Sequence, residues 1–144
     1  MRLVFWLIQW TWGLVQNVLG ALLTLALIRR PRTRFLGAVV THWPLWGSMS
    51  LGMFLFLGRD EQSVLVHEFG HAVQSCILGP LYLPVVGLPS LLWATLPVCR
   101  RLRTRRHISY YAMYQEAWAN HLGQRATGLP APESNARQHR KDRL

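Results

Sequence analysis

Acidic side chains are scarce in this chain, which has six aspartate and glutamate residues against sixteen lysine and arginine residues among 144 positions. Between Gln62 and Glu133 the only acidic residues are Glu68 and Glu116. Because their surroundings are largely apolar, these two carboxylates are the first candidates for chemistry.

Lysine is also nearly missing, since Lys141 is the only one, and the net charge of +10 comes almost entirely from arginine. A strong positive charge indicates binding to nucleic acid or to an anionic membrane surface. Here the arginines flank apolar runs and do not alternate with aromatic residues on a polar segment. This pattern argues against nucleic acid as a partner and favours a membrane.

Cysteine is limited to Cys76 and Cys99, which excludes a disulfide framework and suggests two small buried or interfacial residues. Half of the chain is apolar, with seven tryptophans, and its length allows one compact domain at most. A soluble domain of this size cannot bury that much apolar surface, so we expect membrane lipid to cover part of it.

Leu3 to Ile28 is long enough for a transmembrane helix, which needs about 20 apolar residues. Tryptophans near its start suit one membrane interface, and the arginines from Arg29 to Arg34 would hold its other end in the cytoplasm. A cleaved signal peptide is the alternative, but the apolar run is too long and no small-x-small cleavage site precedes Arg29. We therefore predict an uncleaved anchor over residues 1–28.

Phe35 to Gly58 is apolar but is interrupted by Pro44 and three internal glycines. β-Branched residues before the proline favour extended chain, and the run from Trp43 to Gly47 is typical of a turn. We predict a β-hairpin of Gly37–His42 with Ser48–Leu57. The alternative is a second spanning helix, which length and hydropathy alone would allow.

The strongest motif is His67-Glu68-Phe69-Gly70-His71. Two histidines four positions apart on a helix point the same way, so both imidazoles can bind one zinc ion, and the glutamate can take a proton from a water at the metal. Gly70 leaves space beside the second histidine.

The limits of the motif helix are also indicated by the sequence. Acidic Asp60 and Glu61 would begin this helix and Gly79-Pro80 would end it. One polar stripe comprises Ser63, His67, His71 and Gln74 or Ser75. The alternative interpretation is that this stripe binds no metal.

A catalytic zinc usually has three protein ligands and one open position, so the motif needs a third ligand. The candidate is Glu116, on a segment from Tyr110 to Leu122 that its alanines predict to be helical, with Gly123 as its end. Asn120 lies four positions after Glu116 and shares its helix face. The rival third ligands are His121, His42 and His107.

These two segments together resemble the gluzincin metallopeptidases, which pair the two-histidine motif with a downstream Glu-x-x-x-Asp helix. The resemblance implies that Glu116 binds zinc and that Asn120 hydrogen-bonds a ligand histidine, where the family has an aspartate. Asparagine is neutral and would raise the basicity of the imidazole less than aspartate. The resemblance also implies a side chain that contacts the oxyanion or the substrate, for which the candidates are His121, Tyr110, Tyr111 and Tyr114. The alternative for the three tyrosines is that they anchor the protein at the membrane interface.

Peptidases of this type hold an extended substrate against the edge of a strand just before the motif helix, a position that Ser48–Leu57 would occupy. The chain also resembles a group of small bacterial membrane proteins that share the histidine motif, Gly79-Pro80-Leu81-Tyr82-Leu83, Gly87-Leu88-Pro89-Ser90-Leu91 and the tyrosine-rich glutamate helix. This second resemblance implies an integral protein of the bacterial cytoplasmic membrane and supplies no activity.

Topology constrains the zinc hypothesis. Arg29–Arg34 and Arg100–Arg106 both belong in the cytoplasm, so the chain between them crosses the membrane twice or not at all. If it does not cross, the three ligands meet at one face, and Leu81–Val98, which contains three prolines, is re-entrant, kinked or surface-lying. We then expect a domain over 29–123 and a disordered basic tail over 124–144 in the cytoplasm.

The expected fold is therefore mainly α and membrane-associated, with an anchor helix, a hairpin, the motif helix, a kinked apolar segment and a second ligand-bearing helix. The first functional hypothesis is a membrane-embedded zinc metallopeptidase, a hydrolase in which Glu68 is the general base. The second is a non-enzymatic membrane protein with a structural or sensory metal, or a degenerate peptidase acting as an adaptor. A site-2-type intramembrane protease ranks lower, because its Leu-Asp-Gly motif is missing.

Overall fold

A computed structural model of the chain describes residues 2–45 and 47–132. The described part is mainly helical and contains a small mixed sheet. In chain order the helices and strands are α1 (Arg2–Thr11), α2 (Leu14–Ala26), β1 (Arg32–Phe35), β2 (Ala38–His42), β3 (Met49–Leu51), β4 (Phe54–Leu57), α3 (Gln62–Leu78), α4 (Leu88–Thr95), α5 (Pro97–Arg106) and α6 (Tyr114–Thr127). Short helical turns are formed by Gly79–Leu81, Leu83–Gly87 and Tyr110–Ala112.

The sheet has the strand order β1-β2-β4-β3, so that β4 is internal and β3 is an edge strand. The chain is extended on both sides of Pro44 as predicted, but the predicted hairpin across it is wrong, because β2 pairs with β4 in parallel. The two hairpins are β1–β2 and β3–β4. Their tight turns lie at Leu36-Gly37 (φ 49° and 100°) and at Gly52 (φ 61°), where positive φ angles suit such connections.

Both faces of the sheet are covered, which explains why all four residues of β4 are buried. Side chains of β2 and β4 pack against α3 on one face, and aromatic residues cover the other face. The first cluster contains Ala38, Val40, Leu55, Leu57, Phe69 and Ala72. The second contains Met53, Phe54 and Phe56, with Trp10 and Trp43 packed against them.

The single continuous helix predicted for residues 1–28 is wrong, because α1 ends at Thr11 and α2 begins at Leu14. Buried amide side chains on these two helices reach partners in the rest of the domain, so α1 and α2 are packed into it. The hydrogen bonds run from Gln9 Nε2 to Ala72 O (2.9 Å), from Gln16 Nε2 to Ser75 Oγ (2.7 Å) and from Met53 N to Asn17 Oδ1 (2.8 Å).

Within residues 2–45 and 47–132, no single helix combines the length and the hydropathy needed to cross a membrane. The segments Gln62–Leu81 and Leu83–Thr95 meet those requirements only together, and they are bent by 120° relative to each other. The predicted end of the motif helix is confirmed, since α3 stops at Leu78 and Gly79 has a φ of 56°. The kink predicted after it is also present.

The predicted helix over residues 110–122 is shifted toward the C-terminus. It begins at Tyr114 and continues to Thr127, so the prediction that Gly123 ends it is wrong. The predicted start of the tail at residue 124 is wrong for the same reason. The remainder of the predicted tail, residues 133–144, lies outside the described residues.

Glycine lets α3 and α6 approach backbone to backbone. A Cβ atom on Gly123 would lie 2.1 Å from Val66 O, and one on Gly70 would lie 1.9 Å from Ala119 O. Any larger residue at either position would push the helices apart. The space that Gly70 leaves is therefore filled by α6, the helix that carries Glu116.

Candidate metal centre

The two histidines of the motif lie one turn apart on the buried side of α3. His67 and His71 are 3% and 5% exposed, and their ring centroids are 4.7 Å apart. The polar stripe predicted from the sequence therefore faces the protein interior, where α6 packs against it.

Glu116 lies in the first turn of α6 and is completely buried. Its Oε2 atom is 3.0 Å from His67 Nε2 and 3.4 Å from His71 Nε2. Within the part of the chain that the structure describes, these are the only three potential ligands that gather in this way, with one donor atom from each within 4.8 Å of the others. The group of His67, His71 and Glu116 could therefore hold a metal ion.

Hydrogen bonds at Nδ1 determine which nitrogen of each histidine is free. His71 Nδ1 is 2.7 Å from Gln74 Oε1, and Gln74 Nε2 donates to Gln115 O (2.8 Å), so the amide must present its oxygen to the histidine. His67 Nδ1 is 2.8 Å from Asn120 Oδ1. Both Nδ1 atoms then carry hydrogen, which leaves both Nε2 lone pairs directed at Glu116.

Three electron-rich atoms thus face one another with no hydrogen between them, and Glu116 Oε2 has no hydrogen-bond partner. A cation resolves this arrangement, either as a metal ion or as a proton on an imidazole. Burial alone would lower the pKa of His71, but Glu116 and Glu68 outweigh burial and raise it. Burial likewise opposes ionisation of Glu116, yet the two histidines hold the pKa of Glu116 below its ordinary value.

Ser90 determines which oxygen of Glu116 faces the histidines. Its hydroxyl donates a short hydrogen bond to Glu116 Oε1, and it also lies 3.4 Å from the hydroxyl of Tyr110. With Oε1 occupied, Oε2 is the oxygen left for a metal. Ser90 belongs to α4, so this contact also joins the helix after the kink to the centre.

Glu68 lies beside the centre, is 4% exposed, and has an Oε2 atom with no hydrogen-bond partner. Burial raises the pKa of Glu68, opposed by the nearby histidines. An unpaired buried carboxylate with a raised pKa is suited to accepting and returning a proton.

A cleft of about 320 Å³ opens next to Glu68 and His71. One wall is the edge strand β3 with Ser48 before it, and the opposite wall is formed by α4 and the turn that precedes it. Tyr82 closes one side, where its buried hydroxyl donates to Ser50 O (3.3 Å). The cleft therefore lies between a strand edge and the candidate metal centre.

The predicted oxyanion or substrate contacts have different positions. Tyr111 packs edge-on against His67 with ring centroids 5.0 Å apart, and burial raises the pKa of Tyr111 to about 12. Tyr110 lines the cleft. Tyr114 is turned away and donates to Val85 O (2.6 Å). His121 is exposed and does not line the cleft, so neither Tyr114 nor His121 is brought to the centre.

The rival third ligands lie elsewhere. His42 ends β2, His107 is exposed at the end of α5, and His121 is on the outer face of α6. The described structure thus brings together the three ligands favoured by the sequence, and Asn120 contacts His67 as the family resemblance implied.

Gln74 and Ser90 contact members of the candidate centre, and the sequence analysis assigned neither of them a role there. Gln74 follows His67 by seven positions and His71 by three, and this spacing places it on the histidine face of the helix. Ser90 carries no such signal, because it meets Glu116 across 26 positions through a kink.

Comparison of the chain with protein-family models, curated proteins and solved structures gives no match.

Proposed function

We propose that this protein is a membrane-associated zinc metallopeptidase of the gluzincin type. One observation carries the proposal: Glu68, which is buried and whose Oε2 has no hydrogen-bond partner, lines a cleft together with His71, a member of the group of two histidines and a glutamate that could hold a metal. Two histidines and one glutamate are the ligands that zinc has in several peptidases. A base beside such a group is what peptide hydrolysis requires.

His67, His71 and Glu116 would hold the zinc ion, which when bound polarises the substrate carbonyl and makes a water molecule more acidic. Glu68 accepts a proton as the water oxygen forms a bond to the carbonyl carbon. Glu68 then returns that proton to the amide nitrogen as the carbon–nitrogen bond breaks, which yields a carboxylic acid and an amine.

The position of β3 at the edge of the sheet supports a peptide as the substrate. In the described sheet this strand pairs only with β4, its residues Met49, Ser50 and Leu51 line the cleft, and Ser50 O accepts a hydrogen bond from Tyr82. An extended peptide can add to such an edge through backbone hydrogen bonds, which would hold a scissile bond near Glu68.

Exposed apolar side chains support a location at the membrane. These side chains lie on α2, on the turn after α3 and on α4. Trp12, just before α2, lies next to Gly79 at the end of α3. A contiguous surface of this kind is unusual on a soluble monomer. We refer to it as the apolar face, formed by Trp12, Leu14, Val15, Val18, Leu22, Leu25, Ile77, Leu81, Val85, Leu88, Leu91 and Leu92.

Zinc analysis of the detergent-purified protein tests the metal site. We expect about one zinc per chain in the wild type and a sharp loss in Glu116→Ala, because two histidines alone leave the site one ligand short. Glu61→Ala is the matched control, since Glu61 is exposed and does not belong to the candidate metal group. Absence of zinc from the wild type after reconstitution would reject the site.

Replacing the base separates metal binding from hydrolysis. Glu68→Gln should keep its zinc and lose turnover of a peptide library by a factor of at least about 100, because the amide cannot accept the proton. Undiminished turnover in this variant would remove Glu68 as the base.

A metal-binding protein without catalytic activity is the second candidate. It is favoured by the neutral amides of Asn120 and Gln74 at the two histidines, since a carboxylate there would raise the basicity of the imidazoles more. Such a protein would bind zinc and hydrolyse no peptide even when fully loaded.

A further inference from the structure

Two parts of the chain line most of the cleft beside Glu68. The β3 side contributes Ser48, Met49, Ser50 and Leu51. The α4 side contributes the apolar side chains of Leu83, Leu88, Leu91 and Ala94, together with Gly87 and with Ser90, whose hydroxyl is bonded to Glu116. Apart from Glu68 and His71, the described residues that line the cleft carry no titratable group other than the tyrosines Tyr82 and Tyr110.

The apolar wall is also part of the outer surface. Leu88 and Leu91 line the cleft and are 53% and 57% exposed, so they form its rim. No residue of α4 is buried. The cleft and the apolar face therefore share Leu88 and Leu91.

A charged substrate would be poorly accommodated here. A lysine or glutamate side chain on the α4 side would lose hydration, and no charged side chain is on that wall, since the charged groups that line the cleft are Glu68 and His71 of α3. A leucine or phenylalanine side chain would instead leave lipid or water and pack against the apolar side chains of Leu83, Leu91 and Ala94. The cavity of about 320 Å³ is at the lower end of binding-site volumes and suits one or two large side chains.

We infer that the substrate is an apolar peptide segment delivered from the bilayer, extended along β3 with a large apolar side chain against α4. This inference rests on the proposed function for the chemistry, and it adds the class of peptide and the side from which the peptide enters. Among the apolar side chains on the α4 side, Ala94 is the smallest, so a larger residue at this position would fill part of the cleft.

Photo-crosslinking competition tests the inference in the zinc-loaded Glu68→Gln protein, which binds without cleaving. The protein is placed in phosphatidylcholine vesicles with a lipid-anchored peptide that contains photo-leucine. Unlabelled competitors of equal length carry the same lipid anchor and are either leucine-rich or serine-rich. We expect labelling within residues 82–95 and displacement by the leucine-rich competitor at about tenfold lower concentration.

Two variants locate the site. Ala94→Phe should reduce labelling at least about fivefold by filling the cleft, and Ala94→Leu should reduce it less. Thr95→Phe is the control, because Thr95 is exposed on the same helix and does not line the cleft. Zinc content shows that each variant is folded. Equal displacement by both competitors, labelling outside residues 82–95, or no effect of either Ala94 variant would overturn the inference.

Failure of the inference and failure of the proposed function give different results. If wild-type protein hydrolyses peptides while both competitors displace the probe equally, the peptidase proposal stands and the apolar substrate class falls. If the leucine-rich competitor is preferred but no peptide is hydrolysed, the cleft binds apolar peptides and the catalytic proposal falls.

Discussion

Each of the three side chains that could bind the metal is held by another side chain. The pairs are His67 with Asn120, His71 with Gln74, and Glu116 with Ser90. The partners come from α6, α3 and α4, so the geometry of the centre depends on three helices at once. Loss of such a partner typically lowers metal affinity or activity by about 10- to 100-fold.

Removal of the Ser90 hydroxyl should weaken zinc binding. Ser90→Ala frees Glu116 Oε1 and allows the carboxylate to rotate, so we expect a loss of about 10- to 100-fold in zinc affinity, measured by chelator competition. Ser90→Thr keeps a hydroxyl and should retain most of the affinity. Thr95→Ala is the control on the same helix, and an unchanged affinity in Ser90→Ala would show that Ser90 only packs against the centre.

Zinc should stabilise the protein more at high pH than at low pH. In metal-free protein the raised pKa of His71 contributes stability that is present at low pH and is lost as the pH rises through that pKa. Burial raises the pKa of Glu68, so the cost of burying its ionised form also appears as the pH rises. The same protons compete with zinc for His71. We expect a larger zinc-induced rise in Tm near pH 8 than near pH 5.5, measured by thermal unfolding with and without a chelator.

At the scale of helices, the crossing of α3 and α6 brings the ligands together. Gly70 and Gly123 remove the side chains that would separate the two backbones. Glycine inside a helix costs roughly 1 kcal/mol relative to alanine. This cost is offset by a close contact that places Glu116 beside both histidines.

A single methyl group at this crossing should disrupt both stability and metal binding. Gly123→Ala would place a carbon 2.1 Å from Val66 O, and we expect a loss of about 2 kcal/mol or more in unfolding free energy, with lower zinc affinity. Gly87→Ala is the matched control, since its nearest neighbour would be 3.5 Å away. Denaturant unfolding measures both, and equal stabilities would contradict the tight crossing.

At the scale of the whole molecule, apolar and basic surfaces adjoin. The apolar face includes the outer residues of α4, and the next helix, α5, carries five arginines, of which all but Arg103 are exposed. Arg103 instead packs over the rings of Trp93 and Tyr110, at 4.9 Å and 5.4 Å from their centroids. This combination suits the boundary between acyl chains and anionic headgroups.

Binding to anionic vesicles should depend on the apolar face. Leu25→Glu introduces a charge on exposed α2, and we expect its partition into vesicles to fall about tenfold or more, measured by co-sedimentation. His121→Glu, at an exposed site on α6, is the control and should bind nearly as well as wild type. Because both sites are exposed, unfolding free energy should change by about 0.5 kcal/mol or less. Equal partition of the two variants would exclude α2 from the contact.

Local spacing explains which parts of the centre could be predicted from the sequence. His67, Glu68 and His71 lie within one helix, whose geometry alone brings the two imidazoles together. Glu116 is one of two acids in a long apolar and basic stretch, which left few alternatives. The extended chain on both sides of Pro44 and the kink after α3 also follow from local proline, glycine and β-branched residues.

The sequence by itself thus determined the candidate ligands, the candidate base and the limits of the motif helix, because most of these depend on neighbours a few positions apart. Only the tertiary structure decided the parallel pairing of β2 with β4, the break between α1 and α2, and the contact of Ser90 with Glu116. Each of these depends on contacts between distant residues, such as Gln9 with Ala72 across 63 positions. Gly123 illustrates the difference: its local propensity predicted the end of a helix, whereas its contact with Val66 requires a glycine inside one.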